Sequence, residues 1–284
     1  MRNRLWDLDE IRRMSNIKII RKLKRFGVDF SIDMFREEAP KFYSAEYLSE
    51  HWWEIYEITA EGYDEDFIWM ATVVLWERLL PDVVNFESVD DEMQDGYDLS
   101  GENKAVEACK IWLEVWDKIK KRIAPDFKSV GEADEVFHGM QSISNWCQDL
   151  EMELGNAGLD DASFYEKRIQ YCREFYTLFP ETSDLVIHNT KRAEAESYFA
   201  LGMQEKGEEL FKKLIEEFPD NVWGYIGWGD MYGIFRMKSS IPLDYDKAER
   251  IYRMALERDI DNDRDKRDVL DRIASIEKDR AKQG

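Results

Sequence analysis

Histidine and cysteine side chains are the first candidates for chemistry, because they bind metal ions and act as nucleophiles or bases. The chain has three of each: His51, His138, His188, Cys109, Cys147 and Cys172. None lies near another in sequence and no C-x-x-C pair occurs, whereas a zinc site needs about four ligands at short spacing. We therefore predict no metal site. Widely spaced cysteines in odd number are typical of reduced thiols in the core of a cytoplasmic protein.

Two acidic stretches partly match the calcium-binding loop of an EF-hand. The first places Asp91, Asp95, Gly96 and Glu102 at the first, fifth, sixth and twelfth positions of that loop. Met93 stands at the third position, where an oxygen ligand is needed. The second stretch, 259–270, has arginine in place of the loop glycine and leucine in place of the terminal glutamate. We interpret both stretches as solvated acidic loops.

Motifs for covalent catalysis and phosphate binding are absent from the sequence. There is no G-x-S-x-G nucleophile turn and no G-x-x-x-x-G-K-[ST] phosphate loop. The glycines Gly224, Gly227 and Gly229 are better explained by close packing of helices. With 61 acidic residues, pairs of carboxylates arise by chance. We therefore expect a protein that is not an enzyme, with no catalytic residue and no cofactor.

Charge divides the chain unevenly. The formal net charge is −21, yet residues 1–25 carry nine Lys/Arg against three acids, or +6, which leaves −27 for the remainder. Such a field repels phosphate, so nucleic acid is an unlikely partner for the whole chain. The basic patch is formed by Arg12, Arg13, Lys18, Arg21, Lys22, Lys24 and Arg25. We expect it to dock on the acidic body of its own chain, and the alternative is a nucleic-acid-associated factor that uses residues 1–25.

Helical periodicity runs through the whole sequence, and no segment has the pattern of a strand. With 6 prolines and 15 glycines in 284 residues, few breakers interrupt long helices. Ser15 or Asn16, Ser31 and Ser44 are placed to begin helices, and Gly27 to end one. The apolar residues of 64–80 cover most of a helix, which predicts burial on most sides. No apolar run reaches the ~18 residues of a membrane span.

A repeated pattern appears in the second half of the chain. The segments "CREFYTLFPETSD" and "FKKLIEEFPDNVW" are both amphipathic helices that close on Phe-Pro, at Phe179-Pro180 and Phe218-Pro219. A hairpin of two helices cannot bury its apolar face alone, so successive hairpins stack. A proline after the second helix stops it.

These hairpins resemble tetratricopeptide repeats. In one unit Ala195, Tyr198, Gly207 and Phe211 match the small and aromatic positions of the ~34-residue template. In the next, the matching residues are Tyr225, Trp228, Gly229, Tyr232, Tyr245, Ala248, Tyr252 and Ala255. The chain also resembles bacterial tetratricopeptide-like proteins of unknown function, some of which carry a zinc tail like that of SecA. No cysteine follows Cys172 in this sequence, so the resemblance implies no zinc-dependent role here.

The resemblance implies an all-α helical-hairpin solenoid, with an N-terminal helical region over 1–130 and hairpins with a C-terminal capping helix over 131–284. The first helices of the hairpins would then line a concave groove made of Asn189, Arg192, Glu196, Phe199, Trp223, Ile226 and Asp230. We expect an adaptor or scaffold that holds a peptide or helix in this groove, with acidic surroundings that select a basic partner. The oligomeric state is not predicted.

Overall fold

The structure, a computed structural model, describes residues 6–235, 241–258 and 262–283. Within these ranges the chain is all α-helical and contains no strand, which confirms the predicted fold class. A short 3-10 turn, Ala39–Lys41, follows the third helix. The helices are α1 Leu8–Arg12, α2 Asn16–Arg25, α3 Ile32–Glu38, α4 Ala45–Ile55, α5 Tyr63–Leu79, α6 Phe86–Gly101, α7 Ala105–Arg122, α8 Val130–Asp134, α9 Ile143–Asp160, α10 Ser163–Leu178, α11 Asp184–Ala200, α12 Gln204–Glu217, α13 Val222–Asp230, α14 Tyr245–Leu256 and α15 Asp263–Gln283.

Serine caps begin several helices, as the sequence predicts. The hydroxyls of Ser15, Ser31 and Ser44 accept hydrogen bonds from the backbone N–H three residues on. Gly27 ends α2 with a φ of 97°, and a Cβ there would lie 2.3 Å from the carbonyl oxygen of Glu57. Only glycine fits this turn.

The acidic stretch that contains the first EF-hand match is mostly helical, so its interpretation as a solvated loop is wrong. It becomes helical at Phe86, where α6 begins. Residues 91–101, which carry most of the first EF-hand match, are therefore wound into a helix and cannot wrap a calcium ion. In the second match, residues 259–261 lie outside the described residues.

The first of two compact units comprises the chain up to Gln94 together with Phe137–Met140. Its central element is α5, against which α1, α2 and α4 pack. Phe67, Ile68 and every residue from Ala71 to Trp76 are buried, which confirms the predicted burial on most sides of this helix. The core of the unit therefore forms around one nearly enclosed helix.

The second compact unit comprises Asp95–Val136 and Gln141–Gly284. Consecutive helices pack as hairpins, α9 with α10, α11 with α12, and α13 with α14. The first helices of neighbouring hairpins also touch, since α11 contacts both α9 and α13, and α13 contacts α15. This is the packing of a helical-hairpin solenoid. The boundary at 130/131, between an N-terminal helical region and the hairpins, stays a prediction.

A glycine faces an aromatic ring within each hairpin. A Cβ on Gly158 would lie 2.5 Å from Tyr165, one on Gly207 2.3 Å from Phe199, and one on Gly229 2.3 Å from Tyr252. Each ring thus occupies the space that any larger side chain would need. The helices α10 and α12 end at the residue before Phe179-Pro180 and Phe218-Pro219, where the sequence places the stop.

No helix in the described ranges is long and apolar enough to cross a membrane.

Candidate binding surfaces

The predicted groove residues lie on the first helices of two neighbouring hairpins, α11 and α13. Asn189, Arg192 and Glu196 are half-buried on α11, and Trp223 and Asp230 are half-buried on α13. The two remaining members, Phe199 and Ile226, are each only 1% exposed. They belong to the core and support the surface from behind, so the accessible groove is narrower than the template suggests.

Trp223 is the aromatic centre of this surface. The guanidinium carbon of Arg192 lies 5.9 Å from its ring centroid, and that of Arg272, from α15, lies 5.7 Å away. Both distances fall within cation–π range. Arg272 also lies 5.2 Å from the ring of Phe235, which is 49% exposed. Aromatic rings flanked by guanidinium groups are typical anchors of protein interfaces.

Arg272 was not among the predicted groove residues, because α15 was interpreted as a solvating cap. The structure places this capping helix against both α14 and α13, in the position that the first helix of a further hairpin would take. The signal was present in the sequence: Arg272 lies on the helix that follows a complete hairpin. Counting α15 as a continuation of the repeat would have identified it.

The carboxylate of Asp230 already forms an ion pair with Arg272. The Nε of Arg272 lies 3.0 Å from its Oδ1, and the hydroxyl of Tyr252 donates a hydrogen bond of 2.6 Å to the same oxygen. Burial raises the pKa of Asp230 above its ordinary value, against the effects of Tyr252 and Arg272. The carboxylate therefore depends on both partners to remain charged.

A chain of alternating charges continues this pairing toward α9. Glu196 lies 3.3 Å from Arg192 and 3.6 Å from Arg168 of α10. Arg168 also donates from Nε to Glu151 of α9 at 2.6 Å. Burial acts to lower the pKa of Arg168, but Glu151 and Glu196 raise it above its ordinary value. The surface is thus charge-balanced, and its carboxylates are committed to arginines of the same chain.

A buried histidine lies next to Asn189. His188 has no exposed surface, and its Nδ1 lies 3.4 Å from the Asn189 Oδ1. Burial lowers the pKa of His188 to about 4, so the imidazole is neutral at neutral pH. Its ring also meets that of Phe218 edge-on at 5.5 Å between centroids. These contacts make His188 a core residue beneath the groove.

Part of the basic patch docks on its own unit, as expected. Arg12 donates to Glu77 at 2.8 Å, and Lys24 pairs with Asp29 at 2.9 Å. Lys22 lies 3.2 Å from Asp64 and between 4.5 and 4.9 Å from the ring centroids of three aromatic side chains. These rings belong to Trp6, Phe26 and Phe67.

The rest of the patch faces solvent. Arg13, Lys18, Arg21 and Arg25 are exposed, and none of them forms an ion pair within the described ranges. Ile17, on the same side of α2 as Arg21 and Arg25 at four-residue spacing, is 63% exposed. Residues 1–5, which hold the other two arginines of the segment, lie outside the described residues. The structure thus separates the seven predicted cations into three that are paired and four that are not.

Metal-binding and nucleophilic chemistry find little support in the part of the chain that the structure describes. No cluster of three or more His, Cys, Asp or Glu side chains there could hold a metal ion. All three cysteines are buried and free. Burial raises the pKa of Cys109 to about 12, so its thiol stays protonated and unreactive at neutral pH.

No protein-family model matches this chain, and the search of curated proteins gives no significant match.

Proposed function

We propose that this protein is a non-enzymatic adaptor or scaffold that holds a peptide or helix of a partner protein against α11, α13 and α15. The observation that carries the proposal is Trp223, half-buried and within cation–π range of the guanidinium groups of Arg192 and Arg272. An aromatic ring held in one orientation loses little conformational entropy when a partner covers it. Stacked hairpins of the tetratricopeptide type present such a surface along their first helices.

The partner we favour is basic, and the support comes from the chain as a whole. A net charge of −21 attracts cationic segments at long range and speeds their association. The carboxylates of the groove contribute less, because Glu196 and Asp230 are already paired with arginines. Specificity within the groove would therefore come from Trp223 and its neighbouring guanidinium groups.

The test is affinity capture with mass spectrometry, using wild type and the double variant Arg192→Glu plus Trp223→Glu. The matched control is Arg36→Glu plus Trp53→Glu, which changes an exposed arginine and an exposed tryptophan elsewhere. Circular dichroism and urea unfolding first establish that all three proteins are folded. A partner captured by wild type and by the control, but lost from the groove variant, is the expected result. Equal capture by all three would exclude the groove.

A second candidate function rests on four exposed, unpaired cations, one at the end of α1 and three on α2. In this alternative the protein associates with nucleic acid through Arg13, Lys18, Arg21 and Arg25. Binding to a duplex oligonucleotide would then weaken steeply with salt, because each phosphate contact releases a counterion. Retardation assays between about 50 and 200 mM salt measure this. The absence of binding at the low end would exclude the candidate.

A further inference from the structure

A second concave surface lies on the other helices of the hairpins, apart from the groove described above. Two adjoining cavities, of about 590 and 480 Å³, share Lys212, Trp228 and Met254. Their linings come mainly from α12 and α14, with the stretch that follows each helix. Because they share three residues, the two cavities form one continuous trough, which suits an elongated segment better than a compact small molecule.

The bottom of the trough is apolar and fixed. Trp228 lines both cavities, is 6% exposed, and stacks on Phe211 at 6.4 Å with an interplanar angle of 8°. Ile251 and Met254 of α14 contribute aliphatic surface beside it. The indole Nε1 of Trp228 is buried without a hydrogen-bond partner in the described part of the chain. A rigid aromatic base of this kind accepts a large apolar side chain.

The lining of the trough is positively charged, whereas the protein as a whole is strongly negative. Five Lys/Arg and three Glu line the trough, a local balance of +2 in a chain of −21. Lys247 is held by Glu208, and Arg253 lies 2.7 Å from Glu249. Arg250 is exposed without an ion pair in the described ranges, and Lys212 reaches Glu208 only at 3.9 Å. At least two cations thus remain available to an incoming anion.

We propose that the α12–α14 trough binds an acidic peptide segment, with a large apolar side chain over Trp228 and carboxylates beside Lys212 and Arg250. A continuous phosphate backbone suits the trough less well, because Glu216 and Glu257 interrupt its cations. Separate carboxylates can be spaced around these acids. Trp228 lies on α13, but the rim of the trough comes from the second helices of the hairpins, and none of the groove residues lines it. The site is therefore distinct from the proposed groove.

The test begins with a phage-displayed library of random 12-residue peptides, selected on the folded full-length protein. Enrichment of sequences that combine Asp/Glu with an aromatic or large aliphatic residue is expected. The strongest peptide is synthesised with a fluorophore, and its affinity is measured by fluorescence anisotropy. Selection of basic peptides, or no enrichment at all, would overturn the proposal.

Three variants locate the binding site of the selected peptide. Lys212→Glu plus Arg250→Glu should weaken it by about tenfold or more, since like charges then meet at the rim. The matched control, Lys266→Glu plus Arg267→Glu, changes two exposed cations of α15 outside the trough and should leave affinity unchanged. The groove variant Arg192→Glu plus Trp223→Glu should also bind normally. If only the groove variant loses affinity for the peptide, then the peptide binds in the groove and the trough proposal is wrong.

Two other occupants are distinguished in the same assay. If a 12-nucleotide single strand displaces the peptide from wild type but does not bind the trough variant, the site binds nucleic acid. Sedimentation velocity of wild type without peptide detects the second alternative. If wild type is a dimer and the trough variant is a monomer, a second copy of the chain occupies the trough. Either result would overturn the peptide proposal.

Discussion

Arginine plays different parts in the two regions with candidate binding surfaces. In and beside the groove, Arg168, Arg192 and Arg272 are each paired with a carboxylate and largely shielded from water. On α2, Arg21 and Arg25 are exposed and form no ion pair in the described ranges. The first set fixes the positions of helices and rings, whereas the second offers charge to the surroundings. A count of charges along the sequence cannot distinguish these roles, because the difference is made by burial.

The comparison predicts the largest effect for the most buried arginine. Arg168→Ala leaves Glu151 and Glu196 without their shared cation, and a broken buried pair costs about 3–5 kcal/mol in the free energy of unfolding. Arg21→Ala, on the exposed face of α2, should change it by less than about 0.5 kcal/mol. Urea unfolding of both variants beside wild type measures the contrast. Similar losses of stability in the two variants would show that the buried and the exposed arginines do not differ in this way.

The second prediction concerns acid sensitivity beneath the groove. The folded pKa of His188 is about 4, below the ordinary value of 6.5, so protonation favours the unfolded chain. The contribution of a neutral His188 is complete above pH 6.5 and is lost as the pH falls toward 4. The difference in stability between wild type and His188→Gln should therefore shift by roughly 3 kcal/mol across this window.

Urea unfolding at pH 7, 6, 5 and 4 provides the measurement for this histidine. The two proteins are compared at each pH, so that the carboxylates they share cancel. Unfolding free energies that run parallel from pH 7 to 4 would show that His188 is already accessible to protons in the folded state.

The third prediction is intermediate in size. Arg272→Ala removes the cation beside Asp230, and the loss of a hydrogen bond to a buried charged group costs about 2 kcal/mol. Asp230→Asn added to this variant should restore part of the loss, because the neutral amide needs no cation. The double-mutant cycle on the free energy of unfolding tests both statements. Strict additivity of the two changes would mean that the pair is not coupled.

The smallest effect is expected for the exposed arginines of α2 and for the arginine that follows α1. Replacing Arg13, Arg21 and Arg25 by alanine removes mutually repelling charges and should stabilise the protein by under about 0.5 kcal/mol at low salt. The gain should vanish near 1 M salt, where exposed charges are screened within about 3 Å. Thermal or urea unfolding of the variant and wild type, at low salt and near 1 M salt, measures this gain in stability. A clear destabilisation would indicate that these residues are paired after all, so that the arginines of the two regions would play similar parts.

Sequence reasoning succeeded where local chemistry decides the outcome. The serines that begin helices, the glycine that ends α2 and the Phe-Pro stops all act through neighbours a few residues away. The burial of α5 also followed from its own apolar residues. The hairpin packing could be inferred because the small and aromatic positions recur at a fixed spacing.

It failed where distant helices meet. A template gives the side of a helix that Phe199 and Ile226 occupy, but not how closely the next helix approaches, so their burial was not foreseen. The burial of Arg168 beside the groove gave no signal in the sequence, since a charged side chain in an amphipathic helix is ordinarily solvated. Its carboxylate partners lie 17 and 28 residues away, at Glu151 and Glu196. Only the stacking of three helices brings these charges together.

The glycine and the aromatic ring that face each other in the hairpins α9–α10, α11–α12 and α13–α14 restrict how this chain can change. At Gly158, Gly207 and Gly229 a larger residue collides with a ring, and a smaller residue in place of the ring leaves a void. Neither member can be replaced alone without loss of stability. Divergence at these positions must therefore proceed by paired substitutions, so a descendant that has lost one of these glycines should have exchanged the opposing ring as well.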